Sequence, residues 1–459
     1  MLRGVFNLTK EGRKMNKKLA LTLILIAFIL MPLIITSPSV AIELTTKIDE
    51  IIQPLIDSGE RVGIVVGIVS KEGIQTFNYG ETVLDSGNQP DGETIFEIGS
   101  VTKTFTTLLL AIMVEDGEID LEDLVENFLP CPMPGFDDIK ITLLDLATHT
   151  SGLPRLPTNF DPEDPMNPYA DYTEDLLFEF LSGYSLPRAP GESYEYSNLG
   201  VGLLGHALEL EKDDNYENLV LSQICTPLSM DDTRIQLIPE QEQRVAQGYM
   251  YYEGNIYPVS NWDFDVLAPC GALRSSVNDM LQYLSANLGL IETDLLPAIE
   301  ATHIVYHETG IPGVNIGLGW HTYDFEGAEI IWHNGATYGY YSYVGFIKAE
   351  GIGVVILSNT YVPESNSIDS AGLQIFRILR LANICPIIEI HGAHSEETEL
   401  LRNFRDNVLN KTPEGQEIIR LYYECSPAIV EAMEEDEEFR AEVKGMIDGI
   451  LLLIRDEVE

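Results

Sequence analysis

Apolar residues follow two periods along this chain, and the switches between them mark its organisation. Phe105, Leu108, Leu109 and Ile112 recur at helical spacing just after Ser100 and Lys103, which predicts a helix that carries both polar side chains on one face, one turn apart. Upstream, Ile42–Leu55 reads as a short amphipathic helix. VGIVVGIVS and IQTFNYG, joined by Lys71-Glu72-Gly73, read as a β-hairpin. The stretch from Val314 to Asn359 returns to strand patterning in NIGLGWHTYDF, AEIIWHNG, YYSYVGFIKA and IGVVILSN, with hairpin-like breaks at Glu326-Gly327 and Glu350-Gly351. A helix is predicted from about Ile368 to Leu381. Between the two strand regions lie mainly helical segments. These include two turn-then-helix units, Gly191–Leu210 and Leu267–Leu284, and a loop rich in Pro, Asp, Asn and Tyr between Pro154 and Pro190, with a helical interval at Glu174–Leu181.

Strand pairs at both ends of a helical middle predict an α+β body. Its antiparallel sheet is assembled from distant segments and flanked by helices, beside a mostly helical subdomain. After Cys385-Pro386 the composition shifts. Residues 385–394 read as a linker and 395–459 as an acidic all-α appendage, with helices opened at Thr412-Pro413 and Ser426-Pro427. Its late ILLLI run is too short to span a bilayer. At the other end, Arg13, Lys14, Lys17 and Lys18 precede an apolar run, Leu19–Ile35, that reaches Ser39-Val40-Ala41. Residues 1–41 are therefore a secretory signal cleaved after Ala41, or an uncleaved membrane anchor with residues 19–36 as tether. Either way the body from residue 42 to 384 is expected outside the cytoplasm, secreted or held on the outer face of the cytoplasmic membrane.

The charge narrows the partners. A net charge of −46 over 459 residues, without a basic stripe in the body, excludes nucleic acid and anionic lipid surfaces and leaves a small molecule or peptide as the expected substrate. Five scattered cysteines, Cys131, Cys225, Cys270, Cys385 and Cys425, form no metal-binding spacing. His391 and His394, three apart, have no companion ligands and read as linker polar groups. No metal or organic cofactor is predicted.

The chemistry begins at Ser100. A serine hydroxyl needs a base, and a lysine one turn away and partly withdrawn from water can serve. Tyr196-Ser197-Asn198 precedes an apolar helix and presents a phenol able to relay a proton, with an amide two residues on. His333-Asn334-Gly335-Ala336 ends a strand; glycine there admits a substrate backbone, and the Ala336 N–H can join that of Ser100 as an oxyanion hole. Tyr338, Tyr340, Tyr341 and Tyr343 either line an acyl pocket or pair across strands.

Taken in order, Ser100-Val101-Thr102-Lys103, Tyr196-Ser197-Asn198 and His333-Asn334-Gly335 resemble the SxxK, YxN and HxG marks of the serine β-lactamase and penicillin-binding protein superfamily. The YxN form is similar to class C β-lactamases and the related DD-peptidases and esterases. HTSGLP at His149–Pro154, YSNLGVGLLG at Tyr196–Gly205 and GALRSSVNDM at Gly271–Met280 match the same group, and the likeness covers about Ile42 to Ile384. The resemblance implies that Ser100 is acylated and that Lys103 is its partner base. Tyr196 would share the proton transfers, Asn198 would hold Lys103 and substrate, and Ala336 would supply an oxyanion N–H. His333 stands where lysine is usual, so a fixed cation gives way to a group titrating near neutrality. The function expected is an exported serine hydrolase acting through an acyl-enzyme on a D-amino-acid peptide, ester or β-lactam. The alternative is a penicillin-recognising sensor with little turnover. Leu401–Val430 also resembles a helical module appended to diverse exported proteins, and Cys385-Pro386-Ile387 keeps two letters of the CFI box that often precedes it.

Overall fold

A computed structural model describes residues 39–383 and most of those from 386 to 458. Leu19–Ile35, Cys385, His394, Pro413 and Cys425 lie outside the described residues. Asp49–Phe376 forms one compact unit, and the described parts of Met1–Ile48 with Arg377–Glu459 form another.

In the larger unit, the end of helix α1 (Ser39–Asp57) leads into β1 (Gly63–Ser70) and β2 (Gly73–Gly80), the expected hairpin. A short strand β3 (Ile95–Glu97) precedes α2 (Thr102–Glu115). The middle contains α3 (Leu143–Ala147), α4 (Glu174–Gly183) and α5 (Asn198–Lys212), then a small hairpin of β4 (Tyr249–Tyr252) and β5 (Asn255–Pro258). Strand β6 (Arg274–Ser276) runs directly into α6 (Val277–Asn287), and α7 (Leu296–Thr302) follows. The chain then forms β7 (His307–Glu308), β8 (Val314–Ile316), β9 (His321–Phe325), β10 (Ala328–Ala336), β11 (Tyr341–Ile347) and β12 (Ile352–Ser358). Strand β13 (Thr360–Tyr361) and helix α8 (Ser367–Asn383) come next.

The main sheet is eight-stranded, in the order β2-β1-β12-β11-β10-β9-β8-β7, and every pairing is antiparallel. Thus β1, from the start of the chain, docks on β12 with Ile64 opposite Ser358. Side chains alternate between faces. On one face α6 packs on β1 and β12, with Val277 and Leu281 beside Gly67. On the other, α8 lays Gly372 and Phe376 against Tyr343 and Gly345 of β11. The helical middle continues the first face into one apolar core that includes Phe105, Leu109, Leu203, Leu281 and Val344.

Two expectations change. NIGLGWHTYDF is two antiparallel strands, β8 and β9, because Gly317–Trp320 turns the chain back. Gly319 sits at φ +73°, a conformation that glycine adopts without strain, and a methyl on Gly317 would stand 2.5 Å from the Thr302 carbonyl. Apolar alternation continues through such a turn, so period alone does not reveal it. Strand β6, three residues long and paired with β3, is likewise too short to register as a period.

In the smaller unit, α9 (Pro386–His391), α10 (Glu396–Asn407) and α11 (Glu437–Val458) contribute to an apolar core that includes Phe404, Ile429, Met433, Phe439, Val443 and Leu451. His391 Nε2 lies 3.0 Å from Asp448. Among the described residues no helix is long and apolar enough to cross a membrane.

The close approach of α6 to β1 leaves no room for a side chain at Gly67, where a methyl would meet Val277, Val355 and Leu281 at 2.6, 2.7 and 2.9 Å. Gly67→Ala is expected to lower unfolding stability by about 1–3 kcal/mol through overpacking, measured as a shift of the urea midpoint at unchanged slope.

Candidate active site

Helix α2 is enclosed on all sides: every residue from Thr102 to Met113 is buried. Its threonines meet their hydrogen-bonding needs locally and across to neighbours. Thr104 donates to the Val101 carbonyl, Thr106 to the Pro269 carbonyl and Thr107 to the Leu318 carbonyl. A single 3₁₀ turn, Gly99–Val101, opens the helix and leaves Ser100 half-buried, within reach of a ligand. Lys103 has no exposed surface. Its Nζ donates to Ser100 Oγ at 3.0 Å and to the Cys270 carbonyl at 2.6 Å.

The second motif is held by its backbone. Ser197, rather than Asn198, caps α5, accepting from the Gly200 N–H at 2.8 Å and donating to the Pro154 carbonyl at 2.7 Å. The Asn198 N–H bonds the Arg155 carbonyl, and its side-chain amide donates to the Tyr169 hydroxyl at 2.8 Å. Its Oδ1 is buried without a hydrogen-bond partner. The lysine is therefore gripped by Cys270, while Asn198 is anchored to Arg155 and Tyr169 of the loop between Pro154 and Pro190. The Tyr196 ring centroid lies 5.0 Å from Lys103 Nζ, 4.5 Å from the His149 ring and 6.3 Å from that of His333. His149 accepts the Ser197 N–H at Nδ1, at 3.1 Å, and its carbonyl accepts the Glu195 N–H.

The third motif ends β10. A methyl on Gly335 would stand 2.1 Å from the Ile98 carbonyl and 2.9 Å from Ser100 N; one on Gly99, at φ +50°, would stand 2.8 Å from Ala336 N. The two glycines thus let β10 and the nucleophile turn meet backbone to backbone. Ser342 Oγ ties β11 to the same place through the Ile98 carbonyl. The room at Gly335 serves the chain's own packing, where the sequence suggested access for substrate. This approach brings the backbone at Ser100 close to that at Ala336, the two positions whose N–H groups are the candidates for an oxyanion hole.

His333 departs from its expected behaviour. It is 1% exposed, its Nδ1 shares a 2.5 Å hydrogen bond with the Asn334 carbonyl, and burial, then the neighbouring His321 and Lys103, push its pKa well below the ordinary 6.5. It does not titrate near neutrality. His149 is held down in the same way, by burial and then by Lys103. Burial pushes His321 down to about 4; its Nε2 shares a 2.9 Å hydrogen bond with the Tyr194 hydroxyl. Around Tyr196 the imidazoles of His149, His321 and His333 are thus all shifted toward the neutral form.

One wall is aromatic. Tyr169 stacks on Phe264 at 4.6 Å and packs on Trp262, which meets Tyr338 at 4.9 Å. Tyr340, Tyr341 and Tyr343 point elsewhere: Tyr340 donates to the Ala246 carbonyl, Tyr341 to Asp369, and Tyr343 packs under α8. Cys131, Cys225 and Cys270 are free thiols, and no metal-binding cluster occurs among the described residues.

The chain that carries these residues has relatives among known proteins. A sequence profile of the family described as Beta-lactamase matches residues 48–374, more than half of the chain. The chain belongs to the Beta-lactamase family. A beta-lactamase of Pseudomonas fluorescens is 29% identical over 72% of this chain and 98% of its own. The D-alanyl-D-alanine-carboxypeptidase/endopeptidase AmpH of Escherichia coli K12 is 29% identical over 61% of this chain and 74% of its own. A solved class C beta-lactamase shares the fold, with a TM-score of 0.65 at 23% identity, over 73% of this chain and 96% of that one. As a member of this family the protein is a serine hydrolase, and its fold is the one that the class C enzyme shares.

Sequence reasoning left several of these participants without a role. His149 opens a phrase that was visible, HTSGLP, and Arg155 follows it, yet what they hold follows only from the fold. Tyr169 lies in a loop without pattern. Cys270 acts through its carbonyl, for which residue identity carries no signal.

Two outcomes follow from the geometry. Gly335→Ala is expected to displace β10 from the nucleophile turn and lower ester turnover at least tenfold, checked by steady-state kinetics beside a melting curve. For His321, the folded pKa lies below the ordinary 6.5, so between the two values the unfolded chain binds a proton that the folded one does not. Its contribution to stability is full above pH 6.5 and is lost as pH falls toward about 4. His321→Gln should flatten the pH dependence of the urea unfolding free energy by roughly 1.4 kcal/mol per pH unit across that window.

Proposed function

We propose that this serine hydrolase is exported and works through an acyl-enzyme on Ser100, with an amide or ester of the D-amino-acid peptide or β-lactam type as substrate. The observation that carries the reading is the wholly buried Lys103 with its Nζ 3.0 Å from Ser100 Oγ. Lys103 takes the Ser100 proton as Oγ attacks the carbonyl, and the Ser100 and Ala336 N–H groups receive the developing oxyanion. Tyr196, beside Lys103, passes the proton to the leaving group, and the same groups in reverse activate water for deacylation. Asn198 Oδ1, buried and unpartnered, is the acceptor available to a substrate amide N–H. The substrate types come from the relatives' names; the export reading comes from the N-terminal basic and apolar segment.

Incubation of the full chain with a fluorophosphonate and, separately, with a fluorescent penicillin is expected to label Ser100. Ser100→Ala should lose both labels and drop p-nitrophenyl ester turnover by at least about 10³-fold. Label retained in the variant, or absent from the parent, overturns the assignment.

A further inference from the structure

Arg155 stands apart from the other arginines of the larger unit. Arg61 donates to the Thr360 carbonyl and Ser367; Arg188 pairs with Glu195, Arg234 with Glu217, Arg244 with Asp232 and Arg274 with Glu97. Among the described residues Arg155 alone of these has no side-chain hydrogen bond or ion pair, although the protein carries 73 acidic residues against 27 basic ones. It is exposed. Its guanidinium lies 5.1 Å from the centroid of the Tyr196 ring, the same ring that stands 5.0 Å from Lys103 Nζ.

Its place is fixed from the backbone. The Arg155 carbonyl accepts the N–H groups of Asn198 and Leu199, at 3.0 and 3.2 Å, so the first turn of α5 and Arg155 move as one piece. Its charge also acts on groups of the cleft, helping to hold down the pKa of His149 and opposing the upward shift of Tyr361. Burial disfavours the charged form of the neighbouring imidazoles, and Lys103 is already engaged with Ser100 and Cys270. The uncommitted positive charge beside Tyr196 is therefore Arg155.

We propose that Arg155 is the specificity-determining anion anchor of this site and that it receives a carboxylate carried by the acyl donor. The inference rests on the Ser100 acyl-enzyme reading. A guanidinium presents paired N–H donors that match the two oxygens of a carboxylate. In a strongly acidic protein such a local cation sets which substrates are admitted, since the overall field repels anions.

The test compares the N-benzoylglycyl thioesters of thioglycolate and of thioglycolamide, alike except for the terminal carboxylate. They are assayed on the parent, Arg155→Gln and Arg155→Lys full-length proteins, with thermal melting to verify folding. The parent is expected to favour the carboxylate in kcat/KM by about tenfold or more, Arg155→Gln to bring the ratio to about one, and Arg155→Lys to restore part of it. Added salt should erode the parent's preference and leave the Gln variant's ratio unchanged. No preference in the parent, or one that survives in Arg155→Gln, overturns the anchor while the acyl-enzyme stands. Failure of both thioesters, together with failure of the fluorophosphonate to label Ser100, overturns both.

Discussion

The fold rests on taking a lysine amine wholly out of water and still giving its N–H groups somewhere to go. An amine buried in an apolar core is tolerated only when its donors are met. Ser100 Oγ meets one from a turn away, and the Cys270 carbonyl meets another across 167 positions of chain. The second bond ties two remote segments together. Thr106 adds a parallel tie to Pro269, so the helix with the nucleophile and the turn before β6 hold each other in place.

The other components are placed around that pair by backbone groups more than by side chains. Gly99 and Gly335 remove the bulk that would keep the nucleophile turn off β10. The second motif hangs from the Arg155 carbonyl, the Pro154 carbonyl and His149 Nδ1. Most of these anchors are amides or carbonyls of chain segments already committed to a turn or helix end, so the reacting side chains inherit the rigidity of the scaffold.

How much of this could be read beforehand follows from the range of each interaction. Ser100 and Lys103 were legible because their relation is one helical turn. Glu326-Gly327 was legible because both residues must adopt positive φ, and they do, at +53° and +80°. The sheet's antiparallel character followed from paired strands at both ends. The fate of His333 was not legible, since its charge state depends on which face of β10 is buried and on His321 beside it. The grip of Cys270 on Lys103 was hidden for a different reason: a carbonyl looks the same in every residue.

Strand β10 alternates between two environments within four residues. His333 and Gly335 face the cleft, while Asn334 between them turns to the back of the sheet, where it donates to Asp369 of α8 at 2.9 Å. A single ribbon is thus clamped from front and rear. Asp369 of the rear helix and the Ala336 amide beside the nucleophile are joined through Asn334 and Gly335 of the same strand, so the back of the sheet and the reacting face share one short length of backbone.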